Sequence, residues 1–162
     1  MFVSFDSLPD HARIWVYYIP RPLTVEEQSY IQTQLQNFCT HWEAHHNPLQ
    51  TSFQLFENQF IILAVDETMH GASGCSIDGS VRIMREIGEF LKVDLFNRQY
   101  VAYWQEGKLY TTSTAQFKQM DISPETTVFD QTVTTLGEFR SRKQINIEKT
   151  WLKRYIVEKV EG

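Results

Sequence analysis

The sequence predicts an α+β fold, and three patterns carry that prediction. Ile14–Ile19 and Phe60–Val65 are apolar at every position, as strands buried on both faces are. Two longer stretches, 24–42 and 77–92, place apolar residues at helical spacing. Glu106-Gly107 separates two runs rich in aromatic and β-branched residues, a hairpin signal.

Taken in order, the first twelve residues hold scattered aromatics and Pro9 and read as an irregular lead-in. Arg13–Ile19 then alternates Ile14, Val16 and Tyr18 on one face with Trp15, Tyr17 and Ile19 on the other, and Pro20-Arg21-Pro22 stops it. Thr24 with Glu27 three residues later is a capping box. The helix behind it carries Ile31, Leu35, Phe38 and Trp42 on one stripe, and Asn47-Pro48 ends it. Phe53 and Leu55 alternate with polar neighbours in a half-exposed strand over 51–57. Asn58-Gln59 is the expected tight turn into Phe60–Val65. The second helix, 77–92, shows Ile77, Val81, Met84, Gly88 and Leu91 on one face, with Gly88 allowing close approach to the sheet. Tyr100–Trp104 and Leu109–Thr112 are the last two strands of the core.

The order β-α-β-β-α-β plus one hairpin strand predicts a ferredoxin-like antiparallel sheet over 13–113, with both helices on one face. Strands apolar on both sides require the other face to be covered as well. The C-terminal extension, 114–162, is the expected cover, with a short helix near Ala115–Met120, a strand near Thr127–Val133 and a final segment holding Trp151, Tyr155 and Ile156. Homodimerisation through that face is the alternative, so the chain is read as a monomer or a homodimer.

Composition sets the broad class. With 42% hydrophobic and 14% aromatic residues in 162, the chain can bury a sound core as one domain. A continuous apolar run such as Phe60–Val65 is far too short to span a bilayer. The first residues carry neither a basic region nor an apolar core, so no signal peptide is expected. Two cysteines, Cys39 and Cys75, are no disulfide framework, and together these features point to the cytoplasm. A net charge of −5 argues against a general nucleic-acid binder. The basic residues near the end interleave with Glu138, Glu148 and Glu158 and read as a solvated mixed-charge surface.

The segments His41–His45 with Pro48-Leu49, Ala64–Glu67, Ala72–Asp78 and Val93–Arg98 form a distinctive set, which Thr127–Asp130 and Thr150-Trp151 extend to nearly the whole chain. The set resembles a family of short bacterial proteins of unassigned function, many of which carry the label "ABC transporter ATPase". The resemblance implies a shared fold and imports no activity. The label fails on the residues, since Gly71–Ser76 lacks both the glycine spacing and the lysine that a P-loop uses to hold phosphates.

The candidate site is the strand-to-helix stretch Ala64–Asp78. In a ferredoxin-like sheet it lies at the same end as His45, His46 and the Glu106-Gly107 turn. Three chemistries are open there. Ser73, Gly74 and Ser76 would present helix-start amides to a small anionic ligand, while Asp66 and Asp78 line the loop. The plain alternative makes Ser76 or Asp78 a helix cap. Cys75 at a helix start could be a nucleophile with His45 or His46 as base, although Val81 stands where a C-x5-R phosphatase loop needs arginine. The plain alternative is a buried, inert thiol. His41 and His45, four apart on a helix, could begin a zinc site, but a bare H-x3-H is weak and neither metal nor cofactor is expected. The reading that results is a ligand- or partner-binding domain with its site at 66–78 beside His45. A small hydrolase or transferase using Cys75 or Ser76 with His45 is the alternative. The partner is a small anionic ligand or another protein, with no nucleic acid and no membrane span.

Overall fold

The computed structural model describes residues 1–156, an α+β arrangement of four α-helices and antiparallel sheets among those residues. The chain divides into two compact units. The first is Met1–Asn97 with Thr134–Gly137; the second is Arg98–Val133 with the described residues from Glu138 on. The sequence-based division falls instead at 113/114, and the end of its extension, 157–162, lies outside the described residues.

In the first unit, β1 (Arg13–Tyr18) leads to α1 (Val25–His41), a short hairpin of β2 (Glu43–Ala44) and β3 (Asn47–Pro48), then β4 (Gln50–Phe56), β5 (Phe60–Asp66) and α2 (Gly74–Leu91). The capping box forms as expected: Thr24 Oγ1 accepts from the Glu27 amide at 3.1 Å, and Glu27 Oε1 accepts from the Thr24 amide at 2.9 Å. Arg21 adds a two-pronged bond to Glu27, at 2.9 and 2.7 Å, and also donates to the Leu91 carbonyl, tying the start of α1 to the end of α2.

The sheet runs β1-β5-β4, all antiparallel. One face carries Tyr17, Ile61, Leu63, Val65 and Phe53 into a single core with Ile31, Leu35 and Cys39 of α1 and Met84, Ile87 and Leu91 of α2. The opposite face, Ile14, Val16, Tyr18, Phe60, Ile62 and Ala64, is buried within the single chain too, which is why these strands are apolar on both sides.

The expected fourth strand of this sheet is not there. Tyr100–Gln105 belongs to a second sheet, and the free edge of β1 is used differently. Ile14 N–H donates to the Thr134 carbonyl at 3.0 Å, Arg13 bridges Thr135, and Tyr18 N–H donates to the Leu95 carbonyl at 3.2 Å. Three smaller corrections are local. The turn between β4 and β5 centres on Glu57 and Asn58, both at positive φ, one residue before the expected Asn58-Gln59. α1 stops at His41, because Asn47-Pro48 pairs back onto Glu43-Ala44. Gly88 allows close approach to Val93 and Leu95, the chain returning from α2, and not to the sheet.

The second unit holds β6 (Tyr100–Gln105), β7 (Lys108–Ser113), α3 (Thr114–Phe117), β8 (Thr127–Phe129) and β9 (Ile145–Asn146) in a sheet of order β7-β6-β8-β9. The β6–β7 hairpin turns on Glu106 and Gly107, at φ 51° and 78°, as its residues foretell. Between β8 and β9 runs α4 (Leu136–Arg142), whose first two residues fall in the first unit. The tail, expected as a cover, builds β8 and β9 into this sheet and packs Phe117, Ile122, Ile147 and Leu152 onto Val101 and Val128. The buried carboxylate of Asp130 accepts from Arg142 Nε at 2.7 Å and from the Thr132 amide and hydroxyl at 3.0 and 2.6 Å. Among the described residues no helix is long and apolar enough to cross a membrane.

Candidate functional site

The loop 66–78 resolves into an anchored segment and a helix start. α2 begins at Gly74, three residues before the expected position, with Ser73 as its cap: Ser73 Oγ accepts from the Ser76 amide at 3.2 Å. Neither Ser76 nor Asp78 is the cap. Ser76 is buried and its hydroxyl donates to the Ser73 carbonyl at 2.8 Å, whereas Asp78 is exposed in the second turn. As at any helix start, the first amides, those of Gly74 and Cys75, have no intrahelical acceptor.

Cys75 is exposed, which corrects the expectation of a buried, inert thiol. It stands at the second helical position because the cap lies at Ser73, and that phase turns its side chain outward while Ser76 turns in. Cys39 is the buried cysteine of the chain, and desolvation pushes its thiol up to about 11.

Trp42 holds this helix start in place. It is the residue immediately after α1, buried, with Phe38 and Trp15 rings at 5.0 and 6.0 Å. Its indole N–H donates to the Ser76 carbonyl at 2.9 Å. A groove of about 460 Å³ opens beside it between α1 and α2, with Phe38, Trp42 and Ile83 as apolar wall and His41, Glu43 and Cys75 as polar groups. The imidazole Nδ1 of His41 bonds to the Asn37 carbonyl oxygen at 2.9 Å, leaving Nε2 as its other ring nitrogen. Sequence reading took Trp42 only as core packing; its signal was position, the last stripe residue before a change of structure.

The other expected members lie elsewhere. His45 and His46 form the tip of the β2–β3 turn at φ 51° and 65°, exposed, and neither lines this groove. Glu106-Gly107 turns the second unit's sheet. Asp66 lines a separate pocket of about 180 Å³ with Met1, Leu49, Met69 and His70. Its carboxylate accepts from the Thr68 amide at 2.9 Å and hydroxyl at 2.5 Å, and His11 Nε2 lies 2.8 Å from that hydroxyl. Burial works to raise the Asp66 pKa, but the Thr68 and His11 contacts outweigh it and leave it lowered. Glu67 accepts from the Ala72 amide at 2.9 Å, and Arg13 lies 3.9 Å from it. Asp66 and Glu67 thus pin the loop from both sides, a structural task. His11 and Thr68, 57 residues apart, carried no local signal of this pairing.

Among the described residues no three His, Cys, Asp or Glu side chains are grouped to hold a metal ion. Comparison with protein-family models, with curated proteins and with solved structures found no match to this chain.

Proposed function

We propose that this chain is a binding protein whose ligand site is the groove between α1 and α2, at the Cys75 end of the 66–78 loop, and that its ligand is a small, partly apolar anion. One observation carries the reading: the groove joins an apolar wall of Phe38, Trp42 and Ile83 to the N-terminal end of an 18-residue helix. Helix-start amides and the macrodipole favour negative charge at that end, and an apolar body would lie along the wall. His41, and not His45, is the imidazole that lines the groove with the thiol. The free thiols of Cys39 and Cys75 agree with a cytoplasmic setting. The β1-β5-β4 order supports a ferredoxin-like ancestry for the first unit, since β5 is inserted between the parallel β1 and β4 as in a split βαβ unit. The likeness to the short bacterial family belongs to this reading; its ATPase label does not.

The test is an amide and indole chemical-shift titration of the whole protein with benzoate and, separately, inorganic phosphate. The reading expects the Gly74 and Cys75 amides and the Trp42 indole N–H to move together with benzoate. Shifts scattered over the surface, or none at millimolar ligand, would sink it.

A catalytic reading has its own support, because Cys75 and His41 line one groove. In that reading His41 takes the thiol proton, the Cys75 thiolate displaces a leaving group from an electrophilic carbon, and His41 returns the proton to that group as it departs. Ser76 is a poorer nucleophile, its hydroxyl being buried and bound to Ser73. Alkylation of Cys75 at neutral pH separates the two: a fast reaction slowed by His41→Ala supports the enzyme. The rate of an ordinary free thiol, unchanged by that substitution, leaves the binding reading alone.

A further inference from the structure

The charge of this chain is segregated. Nine of its fifteen lysines and arginines fall among the described residues of the second unit against six of its twenty acids, so these carry +3 where the first unit carries −7. The net −5 therefore describes neither unit, and the expectation of no nucleic-acid partner was argued from that total alone.

That unit also carries a run of aromatic rings. Tyr110 stacks on Tyr103 at 5.9 Å and 22°, Tyr103 meets Phe117 at 6.0 Å, Phe117 meets Tyr155 at 5.8 Å, and Tyr155 meets Trp151 at 5.9 Å. Phe117 is core and Tyr103 and Tyr155 are half-buried against it, but the two ends are open: Tyr110 is 42% and Trp151 37% exposed. Cations flank the run. Lys118 Nζ lies 5.9 Å from the Tyr155 ring, and Arg154 Cζ lies 5.9 Å from the Trp151 ring. Lys149 and Lys153 stand exposed on either side of Trp151 in sequence.

We propose that this surface binds single-stranded nucleic acid. Bases stack on Trp151 and Tyr110, which every base can do through its π-face, while Lys118, Lys149, Lys153 and Arg154 meet the phosphates. Positive charge beside open aromatic rings, as Arg154 lies beside Trp151, is the pairing such a strand needs. An acidic peptide would use the cations and leave the rings idle. The inference stands on the second unit alone and is independent of the groove between α1 and α2.

Fluorescence anisotropy of the whole protein with labelled twelve-nucleotide oligo-U RNA and oligo-T DNA tests it. Binding is expected at 50 mM salt, weakening as salt rises with a log–log slope near −3, about −0.7 for each of four phosphates. Trp151→Ala and Tyr110→Ala are each expected to weaken binding about 5- to 100-fold, and Lys153→Glu/Arg154→Glu at least 10-fold with a shallower slope. A preference between RNA and DNA identifies the sugar. No anisotropy change at 100 μM protein overturns the proposal. So does binding that ignores these substitutions in variants whose urea midpoints match the wild type, or equally tight binding of poly-glutamate.

Discussion

Gly88→Ala tests whether α2 is shaped by its packing or by its intrinsic helicity. On helix propensity alone, alanine in mid-helix is better than glycine by about 1 kcal/mol. Here a Cβ on residue 88 would sit 2.9 Å from the Val93 carbonyl oxygen and 3.6 Å from Leu95 Cγ. The close atom is backbone, so no rotamer change relieves it. Val93 is held there because its N–H donates to the Gly88 carbonyl at 3.0 Å and the Lys92 N–H donates to Glu89 at 3.2 Å, with Lys92 in the left-handed region at φ 58°. Moving Val93 away strains both bonds. Overpacking of this kind costs about 1–3 kcal/mol and a weakened backbone bond about 0.5–1.5 kcal/mol, so after the propensity gain the variant should be less stable by about 0.5–3.5 kcal/mol. Gly79→Ala is the control: it lies in the same helix with nothing within 4 Å of the added carbon, and should gain up to about 1 kcal/mol. Urea denaturation followed by fluorescence reads both, with unchanged m-values expected. If Gly88→Ala proves as stable as Gly79→Ala, the close approach does not shape this helix end.

Three further outcomes follow from particular contacts. His45 and His46 occupy a two-residue turn with both φ positive, so replacing them with Asn-Gly should stabilise by about 1–2 kcal/mol in thermal or urea unfolding. Cys75 alkylation should stay the same in that variant, since neither histidine lines its groove. Asp130→Ala strips the partner from Arg142 and the anchor from Thr132, and should destabilise by about 2–4 kcal/mol, read from the urea midpoint. Glu27 gives a pH signature. Its hydrogen bonds to Arg21, and then to the Thr24 amide, lower its pKa from 4.5 to about 2. A lowered carboxylate contributes stability that is complete above its unfolded pKa and lost as pH falls through the folded value. Glu27→Gln should therefore lower the urea midpoint at pH 7, with the gap to wild type closing between pH 4.5 and 2. A gap that persists below pH 2 would point to lost packing instead.

What could be read from residues was chemistry completed within a few positions. The Thr24–Glu27 box and the Glu106-Gly107 turn are of that kind, and both stand as expected. So is the doubly apolar β5, whose burial is its own pattern made visible. The fate of Tyr100–Gln105 was of another kind. Its residues read as a strand but name no partner, and the edge of β1 it was expected to fill is used by Thr134 and Leu95. Helix 74–91 shows the intermediate case: Met84, Gly88 and Leu91 of the expected face are buried, but Ser76, Ser80 and Ile87 join them in place of Ile77 and Val81, and the cap is Ser73 where Ser76 or Asp78 was expected, so its start shifted by nearly one turn. That shift, together with the early end of α1 at His41, moves the candidate site. A cap at Ser73 turns Cys75 outward and Ser76 inward, and the β2–β3 turn carries His45 out to an exposed tip while His41 stays at the groove. Trp42 joins the two changes, because it ends one helix and its indole fixes the first turn of the other. Loss of that one bond in Trp42→Phe should weaken benzoate binding while leaving Cys75 just as exposed. A Trp42→Phe protein that still binds benzoate with full affinity would mean that the helix start is set by Ser73 alone.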